Sequence, residues 1–418
     1  MIRSVKGTHD ILPNQTRRWQ KVETALHKFM QKYGYQEIRT PAFEKTELFT
    51  RGIGEETDIV SKEMYSWTDQ GGENLTLKPE LTAPVVRAFI QHSLGSQAAV
   101  NRLYYMDALF RRERPQKGRT RQFYQYGAEV FGSEYPEADT EIIAISYNFY
   151  KELGLSDLTI KLNSIGSEKC RQTYRKELRN YLEPFLPDLT ETSKNRFNKN
   201  PLRILDTKVE HEREIIKNAP EISNFLTDED KSHFEEVKAL LIDLSIPFTI
   251  DPQMVRGLDY YTRTTYEITS TALGAQDALC GGGRYDKLVE TLGGKPTPAV
   301  GFAAGIGRLL LALESKTTEL KDESLQINII GLTEKVRSNC QVIAQELRDR
   351  GFSVSTDLLR RSLKSLLREA NRNNVKITII IGEDELANNT VLVKDMETGE
   401  QTAITKNKLI NYLTDLDY

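Results

Sequence analysis

The sequence predicts an α+β protein: one α+β unit interrupted by a helical insertion, with a small α/β domain behind it. Three patterns in the 418 residues predict this. Residues 75–165 and 246–313 both alternate β-rich runs with helices and read as halves of one unit. Between them, from about Ser167 to Leu244, the chain turns charged and helical. Near residue 325 strands and helices begin a fresh alternation, which marks a separate domain.

In chain order, Trp19, Val22, Leu26, Phe29, Met30 and Tyr33 recur at helical spacing, and Gly34 closes that helix. "YQEIRTPAF" follows as an extended segment stopped by Pro41. The insertion, 167–244, carries Tyr174, Leu178, Tyr181, Leu182 and Phe185 at helix period. Strand-like "LTIKLNSIG" precedes it and "IPFTIDPQM" follows it, so an inserted helical subdomain leaves and rejoins one sheet. The tail opens on "SLQINIIGL". It continues with a helix over 334–350, a strand at "FSVSTD", a helix over 359–372, a strand at "KITIIIG" and a hairpin at "VLVKDMETGEQTAI".

Composition narrows the function classes. Hydrophobic residues at 39% and charged residues at 28%, without a low-complexity tract, describe a soluble globular protein. No apolar run approaches the ~20 residues of a membrane helix. The start, "MIRSVKGTHDILP", lacks the apolar stretch of a signal peptide, so the expected location is the cytoplasm. Cys170, Cys280 and Cys340 are too few and too scattered for a disulfide framework or a zinc site, and the five histidines form no ligand cluster. A net charge of −3 excludes indiscriminate coating of nucleic acid but allows a local basic patch to grip a polyanion.

Such a patch exists in "FRRERPQKGRTRQFYQYGAEVFG", residues 110–132. Between Phe110 and Tyr126 it holds five arginines, one lysine and one acid, Glu113. With 110–113 as a strand, Arg111 and Glu113 share a face. With 123–131 as the returning strand, Gln125, Gly127 and Glu129 share one face, while Tyr124, Tyr126, Ala128 and Val130 enter the core. "RPQKGRT" is then a long cationic loop. Arginine suits phosphate because its planar fork donates two parallel hydrogen bonds. Glu129 and Gln125 suit an ammonium group, Glu113 a nitrogen donor of a base, and the loop a second, larger polyanion. An arginine-rich surface turn remains the plain alternative.

Three further segments converge on the same chemistry. "LTLKPELTAPVVRAF" sets Glu80 and Thr82 where a strand turns into a helix, either as an ammonium site or as a capped helix start. "VRGLDYYTRTTYEI" puts Arg256 just before a strand in which Asp259, Tyr261, Arg263 and Thr265 share a face, although tyrosine pairs also fill cores. In "ALCGGGRYDKL" the glycines 281–283 allow close ligand approach or mere loop freedom. "AVGFAAGIGRLLLAL" places Gly305, Gly307 and Arg308 at the start of a buried helix.

Together these residues resemble the class II aminoacyl-tRNA synthetases, and within them the histidyl-tRNA synthetases of bacterial type. "GYQEIRTPAFE" resembles the family's first, dimer-forming motif, "FRRERPQKGRTRQFYQYGAEVFG" the second and "GFAAGIGRLLLAL" the third. "RGLDYYTRTTYEI" and "CGGGRYDKL" match the two stretches that set the histidine enzymes apart, and "KGTHDILP" and "NPLRILDTK" fit the bacterial form. The likeness covers essentially the whole chain. It implies an antiparallel sheet core with flanking helices, a catalytic domain over 1–322 interrupted by 167–244, and an anticodon-binding domain over 325–418.

The resemblance also implies roles. Arg111 would hold the ATP α-phosphate, Glu113 would read the adenine amino group, and Arg308 would grip the γ-phosphate. Glu80, Thr82, Gln125 and Glu129 would bind the amino acid's α-amino and neighbouring groups. Arg256 would be the histidine-specific catalytic arginine, with Tyr260 and Tyr261 in a pocket that the glycine run helps to close. The loop residues Arg114, Gln116 and Arg119 would face the tRNA acceptor end, and Arg119 would also bind ATP. Substrates would be ATP with Mg²⁺, L-histidine and tRNA(His), on a homodimer that uses no membrane.

Bacterial members often carry an acid before the motif-three arginine where this chain has Gly307, which predicts a local packing difference. In the tail, Leu359, Leu363, Leu366, Leu367 and Ala370 form an apolar stripe, with Arg360, Arg361, Lys364, Arg368 and Arg372 largely off it. That is a solvated amphipathic helix or, by resemblance, a phosphate-contacting one. The rival reading is a non-catalytic paralogue that regulates the first enzyme of histidine biosynthesis. Such paralogues typically lack the C-terminal domain and have lost active-site residues, whereas this chain keeps Arg256, the paired tyrosines and 325–418. A synthetase-like sensor of uncharged tRNA would sit in a longer polypeptide.

Overall fold

The computed structural model describes residues 2–54, 57–115, 119–255, 257–274, 277–314 and 327–416. The chain forms two compact units, Met1–Thr318 and Glu319–Tyr418. The first is built on an eight-stranded sheet in the order Gln36–Glu37, Asn101–Phe110, Gln122–Phe131, Ala299–Gly305, Ala278–Arg284, Thr262–Ser270, Leu158–Ser164 and Thr249–Ile250. Its six central strands pair antiparallel, and each two-residue edge strand pairs parallel.

The alternation of side chains along the long hairpin decides what each face meets. Tyr104, Tyr126, Ala128 and Val130 enter one apolar layer with the helices Pro13–Lys32, Pro136–Glu152 and Ile306–Glu314. Leu103, Tyr105, Leu109 and Phe131 enter a second layer on the other face, with Val85, Val86 and Phe89 of helix Thr82–Gln91. Glu129 lies on this second face, buried and in register with Leu103 and Gly301.

The inserted stretch is helical throughout, running from Glu168–Leu182 through Glu191–Lys199 and Glu210–Ile216 to Asp228–Asp243. Two of its helices have side-chain caps: Thr190 accepts from the Ser193 amide and Thr227 from the Asp230 amide. Its apolar cluster, with Tyr174, Leu178, Leu182, Leu202 and Ile204, also takes in Tyr261.

The second unit has a five-stranded sheet, Val354–Thr356, Ile327–Gly331, Ile377–Ile381, Thr390–Asp395 and Gln401–Thr405. The first three strands run parallel and the last two return antiparallel. Two expected helices are shorter here: Arg337–Arg348 replaces 334–350 and Leu363–Arg372 replaces 359–372. The second starts late because Arg360 has φ +56°, which no right-handed helix tolerates. Leu359 therefore lies outside the stripe and is exposed, while Leu366 and Ala370 are buried. Helices Glu383–Ala387 and Lys406–Asp415 were not anticipated from the pattern.

Candidate active site

One cavity of about 920 Å³ opens over the sheet of the first unit, at the upper end of the range for small-molecule sites. Its floor comes from three neighbouring strands, through Gln125, Gly281 and Gly301 among others. Glu80, Thr82, Arg111, Glu113, Arg119, Tyr260, Tyr261 and Arg308 also line it. The separate segments picked out from the sequence are thus brought to one place by the sheet order.

Among the lining residues is a charged group, Arg111, Glu113, Arg119 and Arg308. The strand ends at Phe110, one residue before Arg111, so the expected strand 110–113 is corrected. Arg111 and Glu113 come together nonetheless, because the Arg111 amide bonds to the Arg121 carbonyl at 2.9 Å and the Arg112 amide to the Glu63 carbonyl at 2.7 Å. The Arg111 Nε donates to the Pro79 carbonyl at 2.8 Å, and its guanidinium lies 5.2 Å from the Phe123 ring centre. Glu113 stands 3.7 Å from Arg111 and 3.3 Å from Arg119. Arg308 donates to the Ala278 carbonyl at 2.8 Å. Burial, then the neighbouring Arg119, pulls the Arg308 guanidinium below its ordinary pKa, a strain that a bound anion would relieve.

A carboxylate group adjoins it, since Arg111 bonds to the carbonyl of Pro79, next to Glu80. Glu80 accepts the Thr82 amide at 2.7 Å and the Ala83 amide at 2.9 Å. It therefore caps the start of helix Thr82–Gln91, as the second reading of this position expected, and it also lines the cavity. Burial raises its carboxyl pKa, and the two amides and Arg111 oppose the rise. Glu129 does not line the cavity but lies beneath it, where Thr82 Oγ1 donates at 3.0 Å, Tyr105 OH at 2.9 Å and Tyr285 OH also donates. Burial pushes the Glu129 carboxyl up to about 8, and the three hydroxyls only partly offset it. Gly301, on the adjacent strand, leaves the space this carboxylate fills: a Cβ there would overlap it.

Asp259, Tyr260 and Tyr261 are not on a strand, which begins at Thr262, so the face shared with Arg263 and Thr265 is corrected. Arg263 has φ +47°, which breaks the alternation, and its guanidinium turns away to Asp230 at 3.0 Å. Tyr260 and Tyr261 still meet at the cavity, ring centres 4.8 Å apart, and Tyr260 packs edge-on to Tyr285 at 5.5 Å. Gly307 has nothing within 4 Å of the place a side chain would start, so a side chain there would begin in open space. Arg114 is exposed and not among the lining residues, and Arg256 and Gln116 lie outside the described residues.

Sequence reasoning missed Tyr105 and Tyr285 as clamps on Glu129, Glu63 at the cavity edge, and the insertion residues Arg203 and Asp206. Tyr285 and Arg203 stood inside quoted motifs, but their partners lie 156 and 56 residues away.

A family model described as histidyl-tRNA synthetase matches residues 7–309, and one described as anticodon binding domain matches 326–416. Among curated relatives, a histidine–tRNA ligase of Natranaerobius thermophilus is 45% identical over 403 residues, 96% of each chain. One of Chloroherpeton thalassium is 47% identical over 407 residues, 96% of this chain and 95% of the relative. The crystal structure of the apo histidyl-tRNA synthetase of S. aureus superimposes with a TM-score of 0.85 at 38% identity, covering 99% of this chain and all of that one. Likeness of this extent runs through both units, and the chain belongs to the histidyl-tRNA synthetase family.

Proposed function

We propose that the chain activates L-histidine with ATP and transfers it to tRNA(His). A histidine carboxylate oxygen attacks the α-phosphorus, the α–β phosphoanhydride bond breaks, and pyrophosphate leaves. The terminal ribose hydroxyl of the tRNA then attacks the carbonyl of the adenylate, and AMP leaves. The observation that carries this reading is a single cavity lined both by arginines 111, 119 and 308 and by Glu80, Thr82 and the two tyrosines. A triphosphate and an ammonium-bearing substrate would meet in it. Catalysis of this kind is mainly positioning and electrostatic stabilisation.

Arg111 would take the α-phosphate, Glu113 the adenine amino group and Arg308 the γ-phosphate. Glu80 and Gln125 would orient the α-amino group, Glu129 would act from below through Thr82, and Arg256 would stabilise charge at the α-phosphate. Among the described residues no three His, Cys, Asp or Glu side chains converge as a metal cage. Mg²⁺ would arrive on the nucleotide's phosphates, where it would neutralise charge. A homodimer would use the first motif: its Phe43 is exposed and stacks edge-on to exposed Trp67 at 5.9 Å. No described helix is long and apolar enough to cross a membrane, which is compatible with a cytoplasmic enzyme.

ATP–pyrophosphate exchange with each of the twenty amino acids, without tRNA, tests the reading. Exchange with histidine alone supports it; exchange with none turns the assignment toward the regulatory paralogue. In the same assay Arg256→Ala should lose two or more orders of magnitude in rate while histidine still binds.

A further inference from the structure

"NPLRILD" in the insertion has no part in the roles above, yet its Arg203 and Asp206 line the cavity. The local structure explains how it reaches there. Asn200 caps a single 3₁₀ turn, Pro201–Ile204, and at three residues per turn positions 200 and 203 lie on one face. Leu202 and Ile204 anchor the turn in the insertion's apolar cluster. Both polar side chains converge on one oxygen: Asn200 Nδ2 lies 3.0 Å, and Arg203 Nη2 2.9 Å, from Asp259 Oδ1. Arg203 Nη2 also reaches the Gly257 carbonyl at 3.4 Å. The Arg203 side chain is only 13% exposed, so these charge-assisted bonds are sheltered from water.

The segment they hold, 257–261, lines the cavity and is tied to the inserted helices elsewhere too. Arg171 of helix Glu168–Leu182 donates to the Tyr261 carbonyl, and the Tyr261 ring packs in the insertion's cluster. From the catalytic side, the Asp259 amide bonds to the Ile53 carbonyl at 3.3 Å, Leu258 packs in the cluster of Ile53 and Ile59, and the Tyr260 ring packs on Tyr285, before strand pairing begins at Thr262.

We propose that Asn200 and Arg203 are positioning residues for the amino-acid site: through Asp259 they set where Tyr260 and Tyr261 stand. Placement of the inserted helices thereby governs histidine capture. This rests on the reading that histidine lies against those tyrosines. ATP, held by Arg111 and Arg308, neither of which bonds to this linkage, has no such dependence.

The test is pyrophosphate exchange by the full chain carrying Arg203→Gln, Asn200→Ala, Asp259→Asn or Arg203→Gln with Asp259→Asn. Arg203→Gln should raise KM for histidine about tenfold or more, the worth of a charge-assisted hydrogen bond, with KM for ATP within about twofold. The double variant should be no worse than the worse single one, because both break one linkage. Should Arg203→Gln fail to fold, Asn200→Ala reads the same linkage at roughly threefold. An unchanged histidine KM, an equal rise for ATP, or additive losses in the double variant would each overturn the proposal. A wild-type chain that exchanges with no amino acid would sink the functional reading instead, so the two failures stay distinct.

Discussion

At the scale of single residues, Glu129 is the costliest group in the site. Its carboxyl is buried under three hydroxyls and pushed from about 4.5 to about 8. A carboxyl raised on folding contributes stability that is complete below pH ~4.5 and disappears as pH climbs through ~8. Urea unfolding at pH 5.5 and pH 8.5 should therefore show wild type losing on the order of a few kcal/mol more than Glu129→Gln. Parallel losses would mean that Glu129 is already ionised in the fold. Two glycines give the matching contrast. Gly301→Ala drives a methyl into the Glu129 carboxylate and should cost about 1–3 kcal/mol, with histidine-dependent exchange falling alongside. Gly307→Glu enters open space at the cavity and should leave the denaturation midpoint within ~0.5 kcal/mol of wild type. Equal costs for the two would refute this account of the strand beside Glu129.

At the scale of elements, one buried ion pair ties the sheet to its covering helix. Arg284, on strand Ala278–Arg284, grips Asp139 of helix Pro136–Glu152, both fully buried, and His233 of helix Asp228–Asp243 stands 3.4 Å from the same carboxylate. Burial pushes the Asp139 carboxyl up, but Arg284 and His233 outweigh it and hold the group at about 2. Its stabilisation is present above pH ~4 and is lost as pH falls through ~2. Asp139→Asn should cost about 3–5 kcal/mol in denaturant unfolding at neutral pH, because it leaves a buried guanidinium uncompensated. Asp139→Leu with Arg284→Met should recover much of that loss, and a double variant as unstable as Asp139→Asn would argue that the pair contributes more than its desolvation costs. Elements of this kind were only partly legible in the sequence. The alternation of Tyr126, Ala128 and Val130 against Gln125 and Glu129 could be read because the strand is long and both its faces meet strongly different surroundings. The 257–261 segment was misread as strand because what holds it lies far away, on Asn200, Arg203 and Arg171. Left-handed Arg263 broke a strand's alternation and left-handed Arg360 delayed a helix start, without any glycine or proline to announce them.

At the scale of the whole molecule, the question is how a chain of net charge −3 manages two polyanions. Its positive charge is sorted by depth. Arg111 and Arg308 are half-buried around the cavity, with side chains held by the carbonyls of Pro79 and Ala278, so added salt screens them less than it screens exposed charge. Arg112 and Arg114 stand exposed at the start of the loop, where screening acts fully and where a tRNA backbone would displace counterions. The two substrates should therefore separate by ionic strength. Between about 50 and 200 mM KCl, KM for tRNA in aminoacylation should rise roughly ten- to thirtyfold, as expected for about three phosphate contacts. KM for ATP in pyrophosphate exchange should change less than about twofold over the same range. Arg114→Ala should lower the slope of log KM for tRNA against log salt by about one without altering exchange. If the tRNA slope is unchanged by that substitution, the loop's charge faces something other than the acceptor end. If exchange proves as salt-sensitive as charging, the inner arginines are not sheltered as their burial requires.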